Sequence, residues 1–224
     1  MEGKLFVIEG LDGSGKQTQT GLMYDRLLSE GYNVMRVEYP NYKSESSALV
    51  KMYLRGDFGE KPSDVDAYVS STFYAVDRYA SYKTEYEKFY LEGGIVLADR
   101  YTTSNMVHQA SKITDPAEKI KYLDWLEDLE FRIYGIPRPR QVFFLDVQLS
   151  DSEKLMEERL NKFTHEMKKD IHERDHEYLS DTYSNALWVA DRYGWEVIGC
   201  SSPEGLLPIE TIHEKLYSAM KKYL

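Results

Sequence analysis

The segment that constrains this chain most is Gly10-Leu11-Asp12-Gly13-Ser14-Gly15-Lys16-Gln17-Thr18, set directly after the apolar run Leu5 to Ile8. Its glycines let the backbone turn back on itself so that successive N–H groups point inward, and the positive end of a following helix adds to them. That is a cradle for a phosphate chain, with a lysine long enough to reach the outer phosphates. Such a loop works at the carboxyl end of a strand and the start of a helix, so it commits the chain to an open α/β sheet. Gly10, Asp12, Gly13, Ser14, Gly15, Lys16, Gln17 and Thr18 are the candidate phosphate-binding residues. The position after the lysine normally holds Ser or Thr, whose hydroxyl ligates a divalent cation. Here it holds Gln17, so an amide oxygen or a water must take that coordination place.

Three further apolar runs, Val34 to Val37, Ile95 to Ala98 and Val142 to Val147, read as buried strands, with a weaker one from Trp195 to Gly199. Helical patterns lie between them, and that alternation predicts a three-layer α/β fold: a five-stranded parallel sheet flanked by helices. The first helix is expected to end near Gly31, and a short one to cover Ser46 to Leu54. A long one should open near Asp64 and run to Glu92, where Gly93-Gly94 stop it. Asp115-Pro116 reads as an N-cap followed by proline at the first helical position. Ile120, Leu123, Leu126, Leu129 and Ile133 then recur at helical spacing as far as Pro137-Arg138-Pro139. Asp151 is expected to cap a helix through Leu160, and helices are expected over 175–193 and after Pro208. The stretch Lys162 to Arg174 is charged, poor in large apolar residues and without a helical stripe, which is the composition of a solvated connection.

Charge narrows the choice of partners. With Lys+Arg 28 against Asp+Glu 38 the net charge is −10, which argues against a nucleic-acid coat or an anionic membrane surface. An anionic ligand must then be met by a local cluster of basic groups. No apolar run approaches the ~20 residues of a membrane span. The N-terminus lacks signal-peptide organisation, and the single Cys200 allows no internal disulfide. These features predict a soluble, cytoplasmic protein. The 19 tyrosines are the least ordinary count, and some are candidates for a site.

The strand Ile95 to Ala98 delivers Asp99-Arg100-Tyr101 at its carboxyl end, where ligands of open sheets bind. Asp99 can hold a divalent cation through water, and the planar fork of Arg100 can grip a phosphate. At this point the sequence resembles the thymidylate kinase family over almost its whole length. Phe6-Val7-Ile8-Glu9-Gly10-Leu11-Asp12 is similar to the family's opening strand and loop, and Tyr39-Pro40-Asn41-Tyr42 to its Phe-Pro-x-Tyr segment. Phe73-Tyr74-Ala75-Val76-Asp77-Arg78 resembles the aromatic and arginine of its long helix. Asp99-Arg100-Tyr101 with Ser104 and Asn105 resembles its nucleotide-binding stretch, and Phe144-Leu145-Asp146-Val147 its fourth sheet strand.

The resemblance implies a single P-loop kinase domain over residues 1–224, with a mobile lid at 162–174, that moves the γ-phosphoryl of ATP to dTMP with the help of Mg²⁺. It implies that Lys16, Arg100 and Asp12 are catalytic and that Asp99 serves the metal, with Gln17 as the second candidate ligand where a water does not take that place. Phe73 would stack on the thymine ring, Arg78 would bond a ring carbonyl and Asn105 would meet the base edge. Arg100 would bind the acceptor phosphate near Tyr42, and Ser104 would lie in the same stretch. Asp12 would touch the deoxyribose 3′-OH or a metal-bound water. His108 stands where relatives commonly carry an aromatic near the sugar 2′ position. The glycine loop holds no arginine, so Arg159, Lys162, Lys168, Lys169 and Arg174 are the candidates for the lid cation. A homodimer built through helix packing is also implied. Two other readings stay open: a related P-loop kinase acting on a deoxynucleoside, with Glu9 or Asp12 as base, or on another nucleoside monophosphate, and a nucleotide-binding regulator that has lost catalysis.

Overall fold

A computed structural model describes residues 3–152, 154–155, 176–203 and 205–224. The expected lid at 162–174 and its candidate cations lie outside the described residues, as does most of the helix expected after Asp151. Five parallel strands form the sheet: β1 (Lys4–Gly10), β2 (Val34–Glu38), β3 (Ile95–Asp99), β4 (Gln141–Asp146) and β5 (Glu196–Gly199), in the order β2-β3-β1-β4-β5. Ile8 pairs with Asp99 and Gly10 with Leu145, so the ends of β1, β3 and β4 finish at one edge. The chain winds from β1 towards β2 and β3, then returns across β1 to β4. Winding reverses at β1, and ligand crevices of open sheets lie at such a point.

Both faces of the sheet are buried, which is why its strands are apolar runs rather than alternating ones. Phe6, Ile8, Leu97, Phe143 and Leu145 face α1 (Lys16–Ser29) and α8 (Ile209–Met220) through Met23, Leu27, Leu216 and Met220. Leu5, Val7, Val96 and Ala98 face the opposite way, onto Tyr39, Tyr82, Tyr86 and Tyr90. Much of the tyrosine excess is therefore core, with polar tips in partnership: Tyr39 bonds Tyr86 through their hydroxyls at 3.1 Å, and Tyr101 donates to the Pro137 carbonyl at 3.0 Å.

The remaining elements refine the expected boundaries. A 3₁₀ turn, Glu45–Ser47, leads into α2 (Ala48–Arg55). The long helix is α3 (Ala67–Ser81), capped by Asp66 rather than Asp64, because the Asp66 carboxylate accepts from Tyr68 N and Val69 N. It passes through a π-helical stretch, Tyr82–Tyr86, into α4 (Glu87–Leu91) before Gly93, at φ 94°, ends it. A short α5 (Thr102–His108) that the periodicity does not signal follows β3 directly. α6 (Pro116–Glu127) has the expected Asp115 cap and continues as a π-helical stretch, Asp128–Ile133. Asp151 is not a cap: the helix it belongs to begins at residue 149, and its carboxylate accepts from Ser201 Oγ instead. α7 (His176–Tyr193) packs against α5, and a small hairpin of β6 (Ser201–Ser202) and β7 (Gly205–Leu206) precedes α8. Among the described residues no helix is long and apolar enough to cross a membrane.

Candidate active site

The glycine loop closes over its own lysine. Gly13 and Gly15 take φ values of 77° and 78°, a conformation that costs a side-chain-bearing residue roughly 1–2 kcal/mol. Gly15 is the residue before α1, so the turn hands the chain into a helix whose first N–H groups have no intrahelical acceptor. Lys16 is buried there, and its ammonium donates to the Leu11 carbonyl at 2.6 Å and to Ser14 Oγ at 3.4 Å. Burial and the nearby Arg100 lower its pKa to about 8, against the opposing pull of Asp12, Glu9 and Asp99. Gln17 and Thr18 are exposed on the first turn of α1.

Arg100 joins this loop to the acceptor side. Directly after β3 it sits at φ 67°, the sole non-glycine residue with positive φ among those described. That strained turn aims its guanidinium across the crevice, where four partners hold it. Nη2 donates to Asp12 Oδ1 at 2.5 Å, and Nη1 lies 3.3 Å from both Ser104 Oγ and His108 Nε2. The fourth partner is Glu9, 3.6 Å away. The Glu9 carboxylate is fully buried and engaged on both oxygens, accepting from Gly10 N at 3.0 Å, Thr103 Oγ1 at 2.7 Å and Ser104 Oγ at 2.8 Å. It braces the loop and α5, and it does not line the cavity beyond Arg100.

Asp99 is only 5% exposed, yet no described residue donates a hydrogen bond to its carboxylate. Burial raises its pKa, with Lys16 and Arg100 opposing. A buried carboxylate to which no described residue donates, beside a phosphate cradle, is a hard oxygen donor suited to Mg²⁺.

A cavity opens beyond Arg100. Of the sequence candidates, Asp12, Tyr42, Arg78, Arg100, Ser104, Asn105 and His108 line it. Phe73 does not. It packs on Tyr53 and Phe58, with ring centroids 6.4 and 5.6 Å apart, and Tyr74 lines the cavity in its place. The reason is helical geometry: residues four apart share a face and residues five apart do not, so Tyr74 rather than Phe73 accompanies Arg78.

Arg78 is held rigidly. Its Nε and Nη2 donate to the two oxygens of Glu130 at 2.7 and 2.6 Å, and Nη2 also donates to Asn105 Oδ1 at 2.6 Å. Nη1 donates to the Tyr101 carbonyl at 3.3 Å, which leaves one Nη1 hydrogen for a ligand. Glu130 also accepts from Thr102 Oγ1 at 2.8 Å. The sequence reading missed Glu130 because its stretch reads as an ordinary charged helix end; the π-helical turn that rotates it inward is a tertiary feature. Gln109 was missed too. It lines the cavity and is 2% exposed, with Nε2 lacking any partner among the described residues.

Known proteins resemble this chain in sequence and in fold. The family model described as thymidylate kinase matches residues 8–203. The thymidylate kinase of Homo sapiens is 27% identical over 220 residues, covering 96% of this chain and 88% of that protein. A probable thymidylate kinase of Pyrobaculum calidifontis is 29% identical over 200 residues, 88% of each. Among solved structures, the fold matches that of Candida albicans thymidylate kinase with a TM-score of 0.69 at 17% identity, over 99% of this chain and 92% of that one. The enzyme from Ehrlichia chaffeensis gives 0.67 at 20% identity, over 98% of this chain and 100% of that one.

Proposed function

Because the chain belongs to the thymidylate kinase family, we propose that its crevice transfers the ATP γ-phosphoryl to dTMP, giving dTDP and ADP, with the residues dividing the work as follows. One observation carries the reading: Arg100 and Asp12, bonded to each other at 2.5 Å, belong both to the phosphate cradle and to the cavity beyond it. A donor on the loop and an acceptor in the cavity would meet across that pair.

The glycine loop, Ser14, Gln17 and Thr18 cradle the triphosphate at the start of α1, and Lys16 leaves the Leu11 carbonyl for the outer phosphates. Arg100 turns from Asp12 to the acceptor phosphate, where Tyr42 and Ser104 flank it. The released Asp12 is then available to the deoxyribose 3′-OH. Tyr74 stacks on the thymine ring, Arg78 spends its remaining hydrogen on a ring carbonyl, and His108 stands by the sugar. Asp99 and the Gln17 amide would hold Mg²⁺, which would supply positive charge beside the triphosphate. The acceptor's second pKa is near ~6, so its oxygen is already anionic at neutral pH and needs no base. The obstacle is repulsion: two like charges 4 Å apart cost about 4 kcal/mol at an effective dielectric near 20. Lys16 and Arg100 offset it, and cations so placed are worth roughly 10³–10⁵ in rate. The lid and its cation remain assigned to 162–174, within a single domain, and the working unit is a homodimer.

A substrate panel with Mg-ATP tests this. dTMP should be turned over best. dUMP, one methyl smaller, should be used at a kcat/KM about 10–200-fold lower, and thymidine not at all. Equal use of dTMP and dUMP, or preference for thymidine, would overturn the assignment.

A further inference from the structure

Lys112 ends the 3₁₀ turn, Ala110–Lys112, that follows α5. Its ammonium carries three hydrogens, and three oxygens from α2, from the segment ahead of α3 and from the first turn of α3 take them. The Tyr53 hydroxyl lies 2.9 Å away, the Val65 carbonyl 3.1 Å and Ser70 Oγ 3.2 Å. An ammonium can only donate, so each hydroxyl accepts from it and passes its own proton to a backbone carbonyl: Tyr53 to Pro62 at 3.4 Å, Ser70 to Asp66 at 2.9 Å. Tyr53 and Ser70 are buried. Among the described residues no carboxylate bonds the ammonium. Burial lowers its pKa to about 8, with the charge of Asp66 opposing. The partners lie just behind the acceptor cavity. Tyr53 precedes Leu54, which lines it, and meets the ring of Tyr74 edge-on with centroids 6.4 Å apart. On the other side of the ammonium, Lys112 N donates to the carbonyl of Gln109, a further lining residue, at 3.2 Å.

We propose that Lys112 is a charge-dependent clamp, a positioning residue that draws α2 and the start of α3 against the end of α5 and so holds the acceptor cavity in its binding shape. It acts through Tyr53 and touches no substrate, since its three hydrogens are spent within the protein. This rests on the cavity taking dTMP. A neutral amine has two hydrogens and a lone pair, so one of the three oxygens would then face that lone pair and its element would be let go. The ionisable groups around the ammonium are Tyr53 on α2, Asp66 ahead of α3 and, beyond Tyr53, Tyr178 on α7, which burial pushes well above its usual range. Lys112 itself is mostly charged at pH 7 and mostly neutral at pH 9, so the clamp holds at the lower pH and slackens at the higher.

Calorimetry of dTMP binding without ATP, from pH 7 to pH 9, reads the clamp. Wild-type affinity should fall roughly tenfold over that range, in step with the charged fraction of the lysine. Lys112→Arg keeps the charge and should lose that slope while binding dTMP as wild type does at pH 7. Lys112→Met should lose the slope too, but bind about tenfold more weakly at pH 7. In kinetics at pH 7 the Met variant should raise KM for dTMP, with kcat and KM for ATP held. Lys16, of similar pKa, is present in all three proteins, so only the slope that the variants lose belongs to Lys112. Thermal melts identify which variants fold, and either one decides the matter. A slope that survives in a folded variant, or wild-type dTMP affinity at pH 7 in a folded Met variant, would overturn the clamp. Hydrogen exchange in the ligand-free proteins separates the clamp from the substrate reading. At equal pH the amides of α2 should exchange about fivefold faster in Lys112→Met than in wild type, and equal rates would overturn the clamp whether or not dTMP binds. A wild-type protein that does not bind dTMP would overturn the substrate assignment and leave the exchange result standing.

Discussion

At the scale of single residues, the site is built from charges held in the wrong place until ligand arrives. Lys16 bonds a backbone carbonyl, and Arg100 bonds Asp12 from a strained backbone position. Both are available to phosphate because the partners they would give up belong to the loop itself. The Lys16 pKa of about 8 has a measurable consequence. In the free protein the ammonium is mostly present at pH 7 and mostly lost at pH 9. A bound polyphosphate adds negative charge and raises that pKa, so binding takes up a proton where the free lysine is neutral. ATP affinity should therefore weaken above pH 8, by roughly tenfold per unit while the bound lysine stays charged. Calorimetry in two buffers of different ionisation enthalpy should find little proton uptake at pH 7 and close to one proton at pH 9. Lys16→Met should abolish the uptake along with transfer. Uptake that persists in the Met variant would show that another group titrates.

Among the elements, α3 decides the most. One face carries Tyr74 and Arg78 to the cavity, while Asp77 accepts from Asn41 N at 2.8 Å and Ser46 Oγ at 2.6 Å, tying down the loop that bears Tyr42. The face choice is the point at which spacing outweighs likeness. Phe73 attracts attention as the aromatic of a familiar pattern, yet a four-residue interval places Tyr74 beside the arginine. Base–aromatic stacking is worth about 1–3 kcal/mol by alanine substitution. Tyr74→Ala should accordingly lower kcat/KM for dTMP by roughly 5–150-fold. Phe73→Ala should instead lower the melting temperature, through lost packing on Tyr53 and Phe58, with dTMP kinetics near wild type. The reverse pattern in paired melts and kinetics would return the stacking role to Phe73.

For the whole molecule, the described residues leave the opposite face of α3 uncovered. Val69 and Val76 are 49% and 44% exposed and lie seven residues apart, with Tyr79 continuing the stripe. An apolar helical stripe left in water is the kind of surface a second copy buries, and a stable dimer needs about 1,200–2,000 Å². Val76→Asp should leave the fold intact, since it removes no core contact, and yield a monomer of 26.2 kDa in sedimentation where wild type runs at twice that mass. A wild-type monomer would remove the dimer from the account. What the sequence determined alone is what local chemistry enforces. Glycines at Gly13 and Gly15 permit one turn, apolar runs such as Leu5 to Ile8 must be buried strands, and an Asp-Arg pair ending such a strand must emerge at the ligand edge. The roles of Glu9, Glu130 and Gln109 were decided only when distant segments met. The interval between Glu130 and Arg78 is 52 residues, and nothing in either neighbourhood specifies the other. A buried carboxylate reads as a surface charge until the fold supplies the donors that let it stay inside, because its cost depends on partners rather than on neighbours in the chain.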